Sequence, residues 1–121
     1  MKNYKHIITG KSGEKIAQEY IINLGYNILD TNWHYSKNSE VDIIAKDNNT
    51  IVFIEVKTRS TLDFGHPLEA IDYKKVKKIY IAALAYLKQT KEKYKNYRID
   101  AISVIGLENP QVDHIKNIGL F

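Results

Sequence analysis

The sequence predicts an α/β fold, one mixed central β-sheet flanked by α-helices. Three observations carry this. Residues 40–59 hold two β-branched, apolar runs around Asp47-Asn48-Asn49, the pattern of a β-hairpin. Two other stretches, 12–25 and 73–89, place apolar residues at the three-and-four spacing of an amphipathic helix. The segments follow in the order helix, three strands, helix, two strands. A chain of 121 residues has room for one domain with a core but not for two, so residues 1–121 are expected to form a single domain.

Taken in order, residues 1–9 read as a short lead-in. Ser12 is a candidate N-cap for a helix whose apolar face is Ile16, Ala17, Tyr20, Ile21 and Leu24. Gly25 is its natural stop. Glu14 then falls in the first turn, where a carboxylate complements the helix dipole. Tyr26–Asn32 reads as a strand, followed by Trp33-His34-Tyr35 and a polar loop at 36–39. Trp33 reads as packing rather than as a stacking platform. After the hairpin, Gly65-His66-Pro67 marks a break and Leu68–Ile71 a short helical turn. Asp72 caps a helix over 73–89, with Tyr73, Val76, Tyr80, Ala83 and Leu87, joined by Ile79 and Leu84, as its core stripe. Lys74, Lys75, Lys77 and Lys78 crowd its first turns, where the dipole disfavours cations by a few tenths of a kcal/mol each. A nearby phosphate backbone explains that crowding, and so does solubility. Residues 97–105 form another strand, Asn109-Pro110 a turn, and 112–118 at best an edge strand.

The chemistry sits at one end of the hairpin. A two-residue loop at Asn48-Asn49 pairs Lys46 with Ile51 and Ile44 with Phe53. Counting outward, Asp42 faces Glu55 and Glu40 faces Lys57, so all four charges share one side of the sheet. The other side carries Val41, Ile43, Ala45, Val52, Ile54 and Val56. Two carboxylates about 4 Å apart repel by roughly 4 kcal/mol at an effective dielectric of 20. A cation should offset that. Lys57 is one candidate and a divalent metal, held by hard oxygen ligands in the manner of Mg²⁺, is the other.

Composition narrows the classes. The chain is 44% hydrophobic and 26% charged, ordinary globular values. With no cysteine, disulfides and thiolate metal sites are excluded. The four histidines, His6, His34, His66 and His114, show no metal-ligand spacing. There is no phosphate-binding P-loop and no G-x-S-x-G nucleophile elbow. No signal core or apolar run of membrane-spanning length appears, so a cytoplasmic protein with no membrane partner is expected. The net charge of +4 and pI near 9.1 suit an anionic partner as well as plain solubility.

Asp42 followed by Glu55-Val56-Lys57 on the next strand resembles the PD-(D/E)xK nuclease signature. Over nearly the whole chain the sequence resembles the YraN-type family, also called UPF0102, which is related to Holliday junction resolvases. Gly10, Gly13-Glu14 and Ala17 match the family's opening helix, and Gly25-Tyr26 and Asn32 its first strand. Residues 40–45, Glu-Val-Asp-Ile-Ile-Ala, and 53–59, Phe-Ile-Glu-Val-Lys-Thr-Arg, resemble its two central blocks. Lys75, Ala83, Tyr86-Leu87 and Arg98-Ile99-Asp100 match later positions. Ser39 stands where the family usually has Gly, His34 where Arg is common, and Val41 in place of the signature's Pro.

The resemblance implies a restriction-endonuclease-like core and Mg²⁺-dependent hydrolysis of DNA phosphodiester bonds, with Mn²⁺ as an alternate metal. Asp42 and Glu55 would hold the metal, with the Val56 carbonyl as a further ligand. Lys57 would orient the attacking water. Glu14, by analogy with related resolvases, would reach the metal directly or through water. Thr58, Arg59 and Lys75 would contact phosphate, and Glu40 would support Lys57. The expected partner is DNA, branched or single-stranded, in repair, recombination or uptake. A homodimer would give the symmetry that cutting two strands requires. Three readings stay open: the nuclease, a non-catalytic nucleic-acid-binding module of a larger complex, and a structural protein whose charged sheet end is only a salt-bridge network worth about 0–1 kcal/mol per exposed pair.

Overall fold

Two α-helices, a short 3-10 turn and five strands make up the computed structural model, which describes residues 2–61, 65–106 and 108–119. In order they are α1 (Lys2–Asn23), β1 (Asn27–Ser36), β2 (Ser39–Asp47), β3 (Thr50–Arg59), the 3-10 turn Pro67–Ala70, α2 (Tyr73–Gln89), β4 (Asn96–Ile105) and β5 (Gln111–Ile115). The sheet order is β1-β2-β3-β4-β5. All neighbours are antiparallel except β3 and β4, which are parallel. A parallel pair needs a crossover, and α2 supplies it. The sheet is therefore mixed and flanked by helices, consistent with the restriction-endonuclease-like core.

Each helix covers one face of the sheet. Ala17 and Ile21 of α1 pack with Tyr26, Ile43, Ala45, Val52, Ile54, Val56, Ile102 and Val104. Val76, Ile79, Ala82, Ala83 and Tyr86 of α2 pack with Val41, Ile44, Ile51, Phe53 and Ile99. Burial on both faces explains why β2 and β3 read as continuous apolar runs.

The hairpin register is the expected one from the turn inward. Lys46 pairs with Ile51 and Ile44 with Phe53, and Asn48 takes φ 55°, a left-handed conformation Asn tolerates. The ladder ends at Ile43↔Ile54. Beyond it β2 departs from its alternation. Val41, expected beside Ile43, packs on the α2 side with Trp33 and Ile44. The turn of the strand lies at Asp42, opposite Asn32, which has φ 49°.

Several boundaries differ from expectation. α1 begins at Lys2, so Ser12 lies inside the helix and is not its N-cap, and residues 2–9 are helical rather than a lead-in. Tyr4, Ile7 and Ile8 have helical spacing and no proline interrupts them. β1 runs on through Trp33-His34-Tyr35, leaving only Lys37-Asn38 as the turn. On α2, Tyr73 and Leu84 are exposed, while Ala82 and Tyr86 take the buried places. That stripe centres on Tyr86, whose ring meets Trp33 (5.4 Å, 87°) and Phe53 (5.8 Å, 81°) edge-on. Trp33 is a packing residue, as read. Asp72 does cap α2, accepting from the Lys75 N–H at 3.0 Å. β5 is an edge strand but stops at Ile115.

Candidate active site

Where the β2–β3 ladder stops, a side chain takes over from the backbone. The Val56 N–H donates to Asp42 Oδ2 at 2.8 Å. In a continued ladder that N–H would face β2's main chain. Capturing it with a carboxylate fixes Asp42 beside Glu55, so the two acids meet although no backbone pair joins them.

Glu55 is 4% exposed. Its Oε2 is buried, and among the described residues Lys75 is the one cation that reaches it. Lys75 Nζ of α2 lies 3.1 Å from that oxygen and forms an ion pair with it. Burial and the adjacent Glu55 carboxyl push the Asp42 pKa up to about 8, against the opposing pull of the Val56 N–H and Lys75. Burial alone would lower the Lys75 pKa, but the Glu55 charge, with help from Asp42 and Glu40, outweighs it and the net shift is upward. Lys75 thus offsets the charge of the pair, and the raised Asp42 pKa favours a proton on it.

Glu14 enters from α1. Its pKa is raised by burial and then by Asp42 and Glu40, and a hydrogen bond with Asn32 opposes the rise. α1 approaches this closely because residue 13 is glycine. A Cβ there would come within 2.7 Å of Thr58 Cγ2. Glu14 lies within reach of the Asp42 and Glu40 charges, yet among the described residues no three His, Cys, Asp or Glu side chains gather as a ready metal cage. Asp42 and Glu55 offer two hard carboxyl donors whose neighbouring cation is a lysine, a donor set that fits an oxygen-loving divalent cation.

The other expected residues lie around this pair. Lys57 follows Glu55 by two positions on the α2 side of β3, half-buried, and among the described residues it makes no ion pair. Glu40 does not pair with Lys57 as expected. It faces His34 across β1–β2, with His34 Nε2 3.6 Å from its Oε1, because the splayed strands carry it away from β3. Thr58 packs against Gly13. Arg59 Nη1 donates to the Thr58 carbonyl at 2.9 Å. Lys75, expected on phosphate, is engaged with Glu55.

Comparison with known sequences matches residues 13–104 to the model of the Uncharacterised protein family UPF0102. The chain belongs to the UPF0102 family. It is similar to the UPF0102 protein of Persephonella marina, 46% identical over 110 residues that cover 91% of each chain. The Paenarthrobacter aurescens protein is 38% identical over 113 residues, 92% of this chain and 93% of its own. That of Chlorobium phaeobacteroides is 41% identical over 115 residues, 89% and 90%. The stretch matched to the UPF0102 model takes in Glu14, Asp42, Glu55, Lys57 and Lys75 and ends before β5.

Two features of this UPF0102 chain escaped sequence reasoning. Asn32 supports Glu14, a role that its match to the family's first strand did not reveal. The second is a buried network behind the sheet. Asp100, fully buried, accepts from Arg98 Nε at 3.0 Å and from the Asn117 N–H at 2.9 Å, and its Oδ2 lies 2.8 Å from His114 Nε2. Arg98 also donates to Tyr26 Oη at 2.7 Å. Arg98 and His114 are distant in sequence and join only through the β4–β5 pairing.

Proposed function

We propose that this UPF0102 protein is a Mg²⁺-dependent endonuclease that hydrolyses DNA phosphodiester bonds. The observation that carries the reading is the Asp42–Glu55 pair: two adjacent, largely buried carboxyls at a splayed strand end, one with a buried oxygen held only by Lys75 among the described residues and a pKa near 8 on the other. Such clustering of perturbed acids is costly for a merely structural role and common where metal chemistry is done.

In this reading Asp42 and Glu55 hold the metal, the Val56 carbonyl adds a ligand, and Glu14 reaches it through water. The ion would polarise the scissile phosphate and lower the pKa of a bound water. Lys57, with no ion pair of its own among the described residues, is available to orient that water and to face charge developing on the phosphate. Lys75 neutralises Glu55 and moves to substrate phosphate when the carboxylates are otherwise engaged. Arg59 extends the same cationic rim. Mn²⁺ would substitute for Mg²⁺, and a twofold dimer would place two such sites on paired strands.

A non-catalytic nucleic-acid-binding module is the second reading. It draws on the Lys75–Glu55 pair, which already neutralises the site in part without metal. A cleavage panel separates the two. Linear, flapped, single-stranded and four-way-junction DNA are incubated with Mg²⁺, Mn²⁺ or EDTA. Metal-dependent cutting, lost in Asp42→Asn and reduced at least about 100-fold in Lys57→Ala, is expected. Cutting that survives both substitutions rejects the assignment, and binding without cutting across the panel selects the module.

A further inference from the structure

The lysines of this chain are not spread evenly. Residues 73–97, which are α2 and the connection to β4, hold eight lysines and one acid, Glu92. The segment's net charge of +7 exceeds the +4 of the whole chain, so the remainder is net acidic. Glu92 is itself neutralised by Lys46 at 3.2 Å. The helix dipole does not call for this, since half of these cations sit in the first two turns.

The same segment carries an open groove of about 670 Å³ on α2. Ile81, Leu84 and Leu87 supply its apolar surface, and Tyr35, Tyr94 and Tyr97 stand around it with Lys88. Tyr35 is 57% exposed, and Tyr94 and Tyr97 nearly 40%. Three accessible phenol rings beside a lysine-rich rim combine two chemistries, flat π-faces and fixed positive charge. A second copy of this chain would bring its own +7 segment against this one, which like-charge repulsion opposes. A polyanion with exposed aromatic faces satisfies both halves of the surface. Duplex DNA keeps its bases paired and stacked inside, so only an unpaired strand offers them to the tyrosines.

Position supports the same occupant. Lys75 at one end of α2 touches Glu55, and Lys88 near the other end lines the groove. The thirteen helical steps from Lys75 to Lys88 span about 20 Å at 1.5 Å each. Exposed Lys77, Lys78, Ile81 and Leu84 lie along the way. We propose that the outer side of α2 is a single-strand track: an unpaired DNA segment leaves the Asp42–Glu55 site along the α2 lysines and stacks its bases on Tyr35 and Tyr94 in the groove. This rests on the nuclease reading of that site and adds the part of the substrate it engages away from the cut.

The test is anisotropy of labelled oligothymidylate and of a duplex of equal length, in EDTA so that nothing is cut. Thermal melts of every variant confirm folding. Tyr94→Ala and Tyr35→Ala should each weaken oligothymidylate binding about fivefold or more, with little effect on duplex. Tyr94→Phe, which keeps the ring, should bind as the unsubstituted protein does. The double change Lys88→Gln with Lys95→Gln should lower the salt-dependence slope by about 1.4. Tight binding unaffected by Tyr94→Ala and Tyr35→Ala overturns the track and leaves the nuclease reading intact. No binding to either DNA removes both. A dimer in light scattering that Leu84→Glu dissociates assigns the groove to a second copy and overturns the track.

Discussion

At the residue scale the molecule turns on Asp42. Its carboxylate takes the Val56 N–H, faces Glu55, and is pushed by burial and by that neighbour to a pKa of about 8. The native state holds a proton that the unfolded chain has released, so without metal this contribution to stability is full below about pH 4. It declines as pH rises and is gone above about pH 8. Metal-free thermal melts across that window should fall with pH, and Asp42→Asn should flatten the fall and raise stability at pH 8 by about 1–3 kcal/mol. A metal-free melting temperature that is level over the window, or that rises, contradicts the protonated pair. Lys75 works in the other direction. Lys75→Met leaves the buried Glu55 without its counter-charge. Because the lysine is about a third exposed, solvent screens part of the loss, and the expected cost is about 1–3 kcal/mol rather than the larger figure for a fully buried pair. Unchanged melting in Lys75→Met would show that the 3.1 Å contact contributes nothing. Sequence alone pointed to Asp42, Glu55 and Lys57 because they fall on one side of two adjacent strands. It misassigned Glu40, because the pairing rule was extended past the point where the ladder ends.

At the scale of elements, one contact sets where α1 crosses β3. Gly13 sits inside a helix, where glycine costs about 1 kcal/mol relative to alanine. A Cβ there would collide with the Thr58 side chain. Gly13→Ala therefore tests which effect wins. Sterics predict a net loss of about 1–3 kcal/mol and a withdrawal of Glu14 from Asn32. Adding Thr58→Ala should recover part of the loss, a coupling readable in a double-mutant cycle of melting free energies. A more stable Gly13→Ala protein would mean that α1 is free to shift. The Gly13-Glu14 pair was legible as a family feature, but not its reason, which needs the distance between two elements. The helix start was misread for a related cause: Ser12 looks like a cap in isolation, while the backbone stays helical back to Lys2. On α2 the Asp72 cap was legible because capping is local. Val76, Ile79 and Ala83 of its stripe were legible too, but Tyr86 was not, because Trp33 and Phe53 decide which way its ring points.

For the whole molecule, the two faces of the sheet divide the work. The α2 face carries Glu55, Lys57 and Lys75. The α1 face contains the Asp100 network that ties β4 to β5 and to the segment after it. Burial by itself would raise the Asp100 pKa. Hydrogen bonds from His114, the Asn117 N–H and Arg98 outweigh it and hold it below the ordinary carboxylate value. Its stabilisation is thus full above about pH 4 and fades as pH falls further, opposite in sign to Asp42. Asp100→Ala leaves Arg98 and His114 without their buried acceptor and should cost about 3–5 kcal/mol, measured by denaturant unfolding. A loss under 1 kcal/mol would mean that the network is dispensable. The α/β class and the hairpin register could be read from residue pattern because both depend on local periodicity. The sheet order and the Asp100 network depend on pairings between distant segments that periodicity does not specify.

The nuclease reading requires that Asp42 and Glu55 form a divalent-metal site. Calorimetric titration of the purified protein with Mg²⁺, in parallel with Asp42→Asn and Glu55→Gln, tests it most directly. One saturable site per chain is expected in the unsubstituted protein, and its loss in both variants. Absence of any site, or a site that persists unchanged in both, would contradict it.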